Sequence, residues 1–328
     1  MDGVLVLDKP SGISSHGAVQ RLRKLTGVKK IGHLGTLDPL GTGVLPMVIG
    51  RSTRLARFFS HEERVYESVI RFGFSTDSYD ADGEPTVEPK LVKITHAEIE
   101  NLLPQFRGRL MQLPPPISAK KIEGVPAYKL ARKNRPVNLE PVEIEVYEFD
   151  LLEVNNDRVR VRVRCSTGTY LRSLAHDLGL KLGIGAHVES LRRIAMGEFT
   201  IGNAHTLNHL EQLRDRDALV KALIAPEILL SSMPIERVNS ETAIRIAHGQ
   251  DFRISAFGKA KDTKLLKVID PNGHLIAIAE AKLPLLYHPI RPFEQLVLPL
   301  VLPLVLPLVL PLVLPLVLPL VLPLVLPL

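Results

Sequence analysis

The chain has 328 residues, enough for about two domains and for a sizeable core without covalent staples. Its single cysteine, Cys165, excludes an intrachain disulfide and a cysteine metal cluster, and points to the cytosol. The formal charge of +6 is too modest to name a polyanionic partner by itself.

The opening Met1-Asp2-Gly3-Val4-Leu5-Val6-Leu7-Asp8-Lys9 lacks the basic start and unbroken apolar run of a signal peptide. Val4 to Leu7 reads as a strand. A helix follows with Ser14 or Ser15 as N-cap, Ala18, Val19, Leu22 and Leu25 on one face, and Gly27 as its stop. Arg64 to Phe72 alternates like a strand, and Thr76 to Gly83 reads as an acidic, glycine-ended loop. Thr95 with Glu98 forms the signature of a capping box before Ile99, Leu102 and Leu103. Val142 to Val154 and Arg158 to Cys165 read as a hairpin turning at Asn155-Asn156-Asp157, and a helix runs from about Thr169 to Leu182. In the second strand Arg158, Arg160, Arg162 and Arg164 share one face. That face is either a solvated surface or a phosphate-tracking one.

Beyond Pro226 short strands dominate, notably Leu265 to Ile269 and Leu275 to Ala279 around the turn Asp270-Pro271-Asn272-Gly273. Val297 to Leu328 is eight copies of Val-Leu-Pro-Leu. Its length alone would suit a membrane span, but a proline every fourth residue removes helical hydrogen bonds, so an extended or disordered tail is expected. The expected organisation is a catalytic domain over 1–226, a small β-rich domain over 227–295 and a low-complexity tail over 296–328.

Several chemistries lack their motifs. There is no GxxxxGK[ST] loop, no HExxH and no GxSxG elbow, and the eleven histidines are scattered. An enzyme of this composition works with side chains alone, which favours hydrolysis, isomerisation or group transfer over redox chemistry. The most unusual stretch is Gly32-His33-Leu34-Gly35-Thr36-Leu37-Asp38-Pro39-Leu40-Gly41-Thr42-Gly43-Val44-Leu45-Pro46. It sets one aspartate in a loop constrained by glycine and proline. Read on its own, Asp38-Pro39 is either a turn or a reactive carboxylate.

This segment resembles the catalytic motif of the TruB-type tRNA pseudouridine synthases. Lys9-Pro10-Ser11-Gly12-Ile13-Ser14-Ser15 resembles that family's Lys-Pro motif, and Tyr66 with Thr76-Asp77 and Asp80-Ala81-Asp82-Gly83 resembles its tyrosine motif. Pro114-Pro115-Pro116-Ile117-Ser118-Ala119-Lys120-Lys121, with Gly124 and Tyr128, resembles a further block. Cys165-Ser166-Thr167-Gly168-Thr169-Tyr170-Leu171-Arg172 and Gly185 to Arg193 resemble the last two. The blocks keep the family's order from Val4 to Phe199. Ile117 departs from the aromatic residue usual in the bacterial type and matches the guide-RNA-dependent, dyskerin-like relatives. The acidic loop Thr76 to Gly83 is a feature of the stand-alone type.

The resemblance implies an α+β pseudouridine-synthase fold: a large mixed, mostly antiparallel sheet flanked by helices, then a small C-terminal β-rich PUA-like domain that binds RNA. It implies isomerisation of uridine 55 in the T arm of tRNA, without cofactor or metal. Asp38 is then the nucleophile, Arg172 its partner, and Tyr66 the stacking residue that helps remove the C5 proton. A carboxylate can add to an electron-poor carbon and leave again. Leu191 closes the apolar side of the pocket, Tyr170 and Lys9 support the site, and His33 fills or lines the space left by an extruded base. The expected partner is tRNA, with no membrane, and the chain is expected to be a monomer. The alternatives are a guide-RNA-dependent synthase and a non-catalytic RNA-binding or RNA-folding protein.

Overall fold

The computed structural model describes residues 1–117, 139–213, 215–255 and 263–292, with the backbone of two short strands at 121–122 and 125–126. The expectations placed on Ser118 to Lys120, Gly124, Tyr128 and the tail over 296–328 lie outside the described residues.

The chain opens with β1 (Gly3–Lys9), α1 (Ser15–Thr26), β2 (Ile31–His33), β3 (Thr42–Ile49) and β4 (Arg64–Phe72). Next come α2 (His96–Leu102), β5 (Gly108–Gln112) and the mutually paired β6 (Lys121–Ile122) and β7 (Val125–Pro126). The hairpin β8 (Val142–Asn155) and β9 (Arg158–Cys165) leads to α3 (Leu171–Leu182), β10 (Ala186–Met196), β11 (Phe199–Thr200) and β12 (His205–Thr206). Ten of these strands form one mixed sheet in the order β12-β1-β3-β10-β4-β9-β8-β5, with β11 beside β10 and β2 beside β3. The pairs β1–β12 and β3–β10 are parallel. The neighbours β1–β3, β10–β4, β4–β9, β9–β8 and β8–β5 are antiparallel.

Local chemistry accounts for most boundaries. The Ser14 side chain caps α1 by accepting from the Gly17 backbone, and Ala18, Val19 and Leu22 are buried. Thr95 and Glu98 make a reciprocal capping box at the start of α2. The turn from β8 to β9 uses Asn156 in the left-handed region. α3 begins at Leu171, two residues later than the pattern predicts, with Tyr170 as its N-cap. It buries Leu174, Ala175 and Leu178 on the sheet, which brings Arg172 inward at its first turn.

After the short helices α4 (Leu207–Gln212) and α5 (Arg216–Lys221) a second sheet forms. It contains β13 (Ile235–Arg237), β14 (Phe252–Arg253), β15 (Leu265–Ile269), β16 (Leu275–Leu283) and β17 (Leu286–Pro292), in the order β13-β15-β16-β17-β14. One helix, α6 (Ser240–Ala247), packs on it through Ala243 and Ile246, an element the strand-rich reading omitted. The two sheets share an apolar cluster in which Val4, Val48, Phe59 and Phe199 meet Ile269, Leu275 and Ile278.

The arginine face of β9 is a paired surface. Arg158 meets Glu189, Arg160 meets Glu153, Arg162 meets Glu67, and Arg164 meets both Glu63 and Glu148. Carboxylates on nearby strands and loops face each guanidinium, so the charge of this surface is balanced within the protein.

One close approach controls the join between β3 and β10. Gly43 has φ +95, and a Cβ there would meet the Arg193 carbonyl. Gly43→Ala should therefore destabilise the fold by about 2–4 kcal/mol, read from the urea midpoint at unchanged m-value. A loss below about 0.5 kcal/mol would mean that the strands separate easily.

Candidate active site

The segment from Leu34 to Gly41 bridges β2 and β3, so both of its ends are fixed by the sheet. Buried Ser15, at the start of α1, ties its middle. The Leu37 backbone N–H donates to Ser15 Oγ at 2.8 Å, and that hydroxyl lies 2.8 Å from the Leu37 carbonyl. Gly41 N–H donates to the Asp38 carbonyl at 3.0 Å, closing the turn that the Asp-Pro pair starts.

Two buried cations brace this loop. Lys9 is wholly buried and donates from Nζ to the carbonyls of Ile13, Pro10 and Pro39 at 2.8, 2.9 and 3.2 Å. Burial pushes its ammonium down to about 8, with the Asp38 carboxylate opposing that shift. Arg193, also wholly buried, donates from Nε to the Val44 carbonyl at 2.6 Å and from Nη2 to the Gly35 carbonyl at 3.1 Å. Its guanidinium also hydrogen-bonds the Tyr66 phenol.

A third cation forms the front of the site. Arg172 Nη2 lies 2.8 Å from Asp38 Oδ2, and Nη1 lies 2.9 Å from the Ser78 carbonyl and 3.4 Å from Asp80 Oδ2. The Arg172 side chain is 5% exposed and that of Asp38 is 36% exposed, so the anchor is buried while the carboxylate faces open space. Burial pushes the Asp80 carboxyl up, and Ser78 and Arg172 oppose it. Ser78 Oγ donates to Asp80 Oδ1 at 2.5 Å, which fixes the second carboxylate.

The open space is a cleft of about 480 Å³. Asp38, Tyr66, Tyr170, Arg172 and Leu191 all line it, together with Arg64 and Glu143. Tyr66 is buried on its ring and loses phenol acidity to that burial, so it is a poor free base. Tyr170 is held through its backbone, because Gln112 exchanges hydrogen bonds of 2.8 and 3.0 Å with its N–H and carbonyl. Lys9 and His33 are not among the lining residues. Lys9 acts from beneath the loop. His33 ends β2 half-buried, with Nδ1 lacking a hydrogen-bond partner and its basicity lowered by burial and by Arg193. Among the described residues no three His, Cys, Asp or Glu side chains gather as a metal site.

Sequence reading missed Arg193 and Asp80 as members of this network. Asp80 stands in the acidic loop that the motif comparison had already isolated. Arg193 ends the last motif block, and nothing in its spacing reveals burial.

Comparison with known proteins accords with this arrangement. A model described as TruB family pseudouridylate synthase (N terminal domain) matches residues 23–171, and one described as tRNA pseudouridylate synthase B C-terminal domain matches residues 172–231. The chain is 50% identical over 289 residues to tRNA pseudouridine synthase B of Solibacter usitatus (strain Ellin6076), covering 88% of this chain and 99% of that protein. It is 40% identical over 283 residues to tRNA pseudouridine synthase B of Stutzerimonas stutzeri (strain A1501), covering 85% and 92%. Its fold is similar to that in the crystal structure of a Cbf5-Nop10-Gar1 complex, with TM-score 0.67 and 24% identity over 89% of this chain and 85% of that one. The ordered motifs, the sheet and the two family matches agree, and the chain belongs to the TruB family of pseudouridylate synthases.

Proposed function

We propose that this protein converts uridine to pseudouridine in tRNA, at position 55 of the T arm, with Asp38 as the nucleophile. The observation that carries the reading is a carboxylate held 2.8 Å from a buried guanidinium at the edge of a cleft lined by Tyr66 and Leu191. The reaction breaks the N1–C1′ bond, makes a C5–C1′ bond, releases the C5 proton and returns a proton to N1. No electron leaves the substrate, so side chains suffice. Relatives named tRNA pseudouridine synthase B, similar over most of both chains, support the stand-alone reading.

The roles follow from placement. Arg172 aims the Asp38 carboxylate through one charge-assisted contact from Nη2, while Nη1 holds the Ser78 carbonyl and Asp80. Tyr66 and Leu191 offer an aromatic face and an apolar wall between which a detached uracil can turn without escaping. Burial keeps the Tyr66 phenol protonated, so it assists C5 deprotonation only together with Asp38 or the substrate. Extruding the nucleotide costs a few kcal/mol of stacking, and His33, beside the Asp38 loop, is the residue assigned to the vacated space. The β-rich domain over 227–295 is assigned to RNA contact outside the cleft.

Tritium release from C5-labelled tRNA transcript tests the reaction. Wild type should release label, and Asp38→Asn should bind the RNA and release none. Release by the variant at the wild-type rate would remove Asp38 from its role. Arg172→Lys should lower kcat/KM by about 100-fold, near 2.7 kcal/mol, because a single ammonium lacks the planar span by which Nη2 reaches Asp38 while Nη1 reaches the Ser78 carbonyl and Asp80. Turnover within about threefold would remove the pairing from the mechanism.

Lys9 gives a pH test of the loop support. Its folded value of about 8 lies below the ordinary 10.5. Below about 8 both states hold the proton and the full cost of burying the cation is present. Between 8 and 10.5 the unfolded chain binds a proton that the folded chain has released, so stability rises with pH. The unfolding free energy of wild type relative to Lys9→Met should climb across that window. A flat difference would mean that the three carbonyls hold Lys9 protonated throughout.

A further inference from the structure

We infer that Arg64 is a receptor for a phosphodiester group flanking the nucleotide in the cleft, a role that rests on the proposed RNA substrate. Arg64 opens β4 two residues before Tyr66, so strand periodicity turns both side chains to one face, and both line the cleft. It lies in the middle of the sheet, opposite Cys165 of β9 on one side and Met196 of β10 on the other. Its exposure is only 9%. A buried arginine in such a place is ordinarily paired.

Arg64 has no such partner. No carboxylate among the described residues lies within ion-pair distance of it, and its one hydrogen bond is a long contact of 3.4 Å from Nη1 to the Glu62 carbonyl. The other buried arginines differ. Arg172 holds Asp38, Asp80 and the Ser78 carbonyl, and Arg193 holds three carbonyls and the Tyr66 phenol. The four arginines on the outer face of β9 each have a carboxylate.

The neighbouring loop leaves room for this group. A Cβ on Gly35, which has φ +71, would stand 3.0 Å from Arg64 Nη2 and 3.5 Å from Nε. The guanidinium therefore rests against bare backbone three residues before Asp38, where a side chain would crowd it.

Charge selects the ligand. The positive charge of Arg172 is answered by two carboxylates in contact with it, whereas among the described residues Arg64 feels Glu62 only from beyond ion-pair distance. A uracil carbonyl is neutral and would leave the buried cation uncompensated. A phosphodiester carries a full negative charge and oxygens spaced for the guanidinium fork. Every nucleotide brings that group on the sugar edge of its base, whatever its sequence. Arg64 thus acts on binding and on the seating of the sugar, and it reads no base.

The test uses the full-length protein and synthetic T-arm hairpins in which the phosphate on the 5′ or the 3′ side of the target uridine is replaced by a neutral methylphosphonate. With wild type, one of the two replacements should weaken binding by about tenfold or more. Arg64→Gln should show the same loss on the unmodified hairpin and little further loss on the modified one. The slope of log K against log salt should fall by about 0.7 to 0.9, as for one lost phosphate contact. Arg64→Lys should recover part of the affinity. Losses that multiply independently in Arg64→Gln, or an unchanged salt slope, would overturn the inference. Should Arg64→Gln fail to fold, wild type on the two modified hairpins decides the matter, and equal binding to both and to the parent overturns it. C5 tritium release by wild type, measured alongside, separates this outcome from failure of the proposed reaction.

Discussion

The ion pair between Arg172 and Asp38 requires a guanidinium to sit almost wholly inside the protein, and the organisation of the site follows from that requirement. Removing a cation from water costs several kcal/mol unless opposite charge and acceptors replace the lost hydration. Asp38 alone is half in the open and cannot do so. Asp80 and the Ser78 carbonyl complete the set. Three segments distant in sequence, the Asp38 loop, the loop after β4 and the first turn of α3, must therefore converge for any of them to be stable there. A site assembled in this way is present only in the folded state, and its geometry is over-determined before a substrate arrives.

The loop bearing Asp38 has no regular secondary structure of its own between β2 and β3, and buried cations replace the missing backbone ladder. Lys9 gathers carbonyls from beneath, including that of Pro39, and Arg193 gathers those of Gly35, Thr36 and Val44 from the sheet side. Carbonyl oxygens in a turn point outward from the chain, and an ammonium or guanidinium satisfies several at once where a neutral donor satisfies one. Mobility of the carboxylate is thereby limited to its own side-chain torsions. That is the property the proposed attack on a detached sugar or base requires of Asp38.

Legibility in the sequence divided along physical lines. β4 and α1, and the capping box at Thr95, were readable because their apolar positions recur at one period and their caps are local. β3 was not, since Gly43 to Ile49 is buried on both faces and carries Pro46, which argues against a central strand. β10 was hidden by register shifts near Glu189 and Ile194 that break its alternation. Motif resemblance named Asp38, Tyr66, Tyr170, Arg172 and Leu191, and all five line one cleft. It did not indicate that Arg193 is interior, because burial of an arginine depends on carbonyls supplied from elsewhere in the chain. Nor did it indicate that each arginine of β9 would meet a carboxylate, because cross-strand register decides that.

Backbone strain stands next to the site and has a local explanation. Tyr79 adopts φ 63, a left-handed conformation that costs a residue with a side chain about 1–2 kcal/mol. Its ring stacks on His176 at 3.8 Å and 8°, and burial lowers the basicity of that imidazole, so the stack is between two neutral rings. His176 lies one helical turn beyond Arg172 on the same side of α3. On the other side the Val188 N–H donates to the Tyr79 carbonyl, and the Ala81 N–H donates to the Val188 carbonyl. The left-handed turn is thus clamped between a helix and a strand. Its consequence is that the residues on either side of Tyr79, Ser78 and Asp80, both direct oxygens at the Arg172 guanidinium. A relaxed backbone at Tyr79 would rotate one of those two oxygens away, leaving the buried cation more dependent on Asp38.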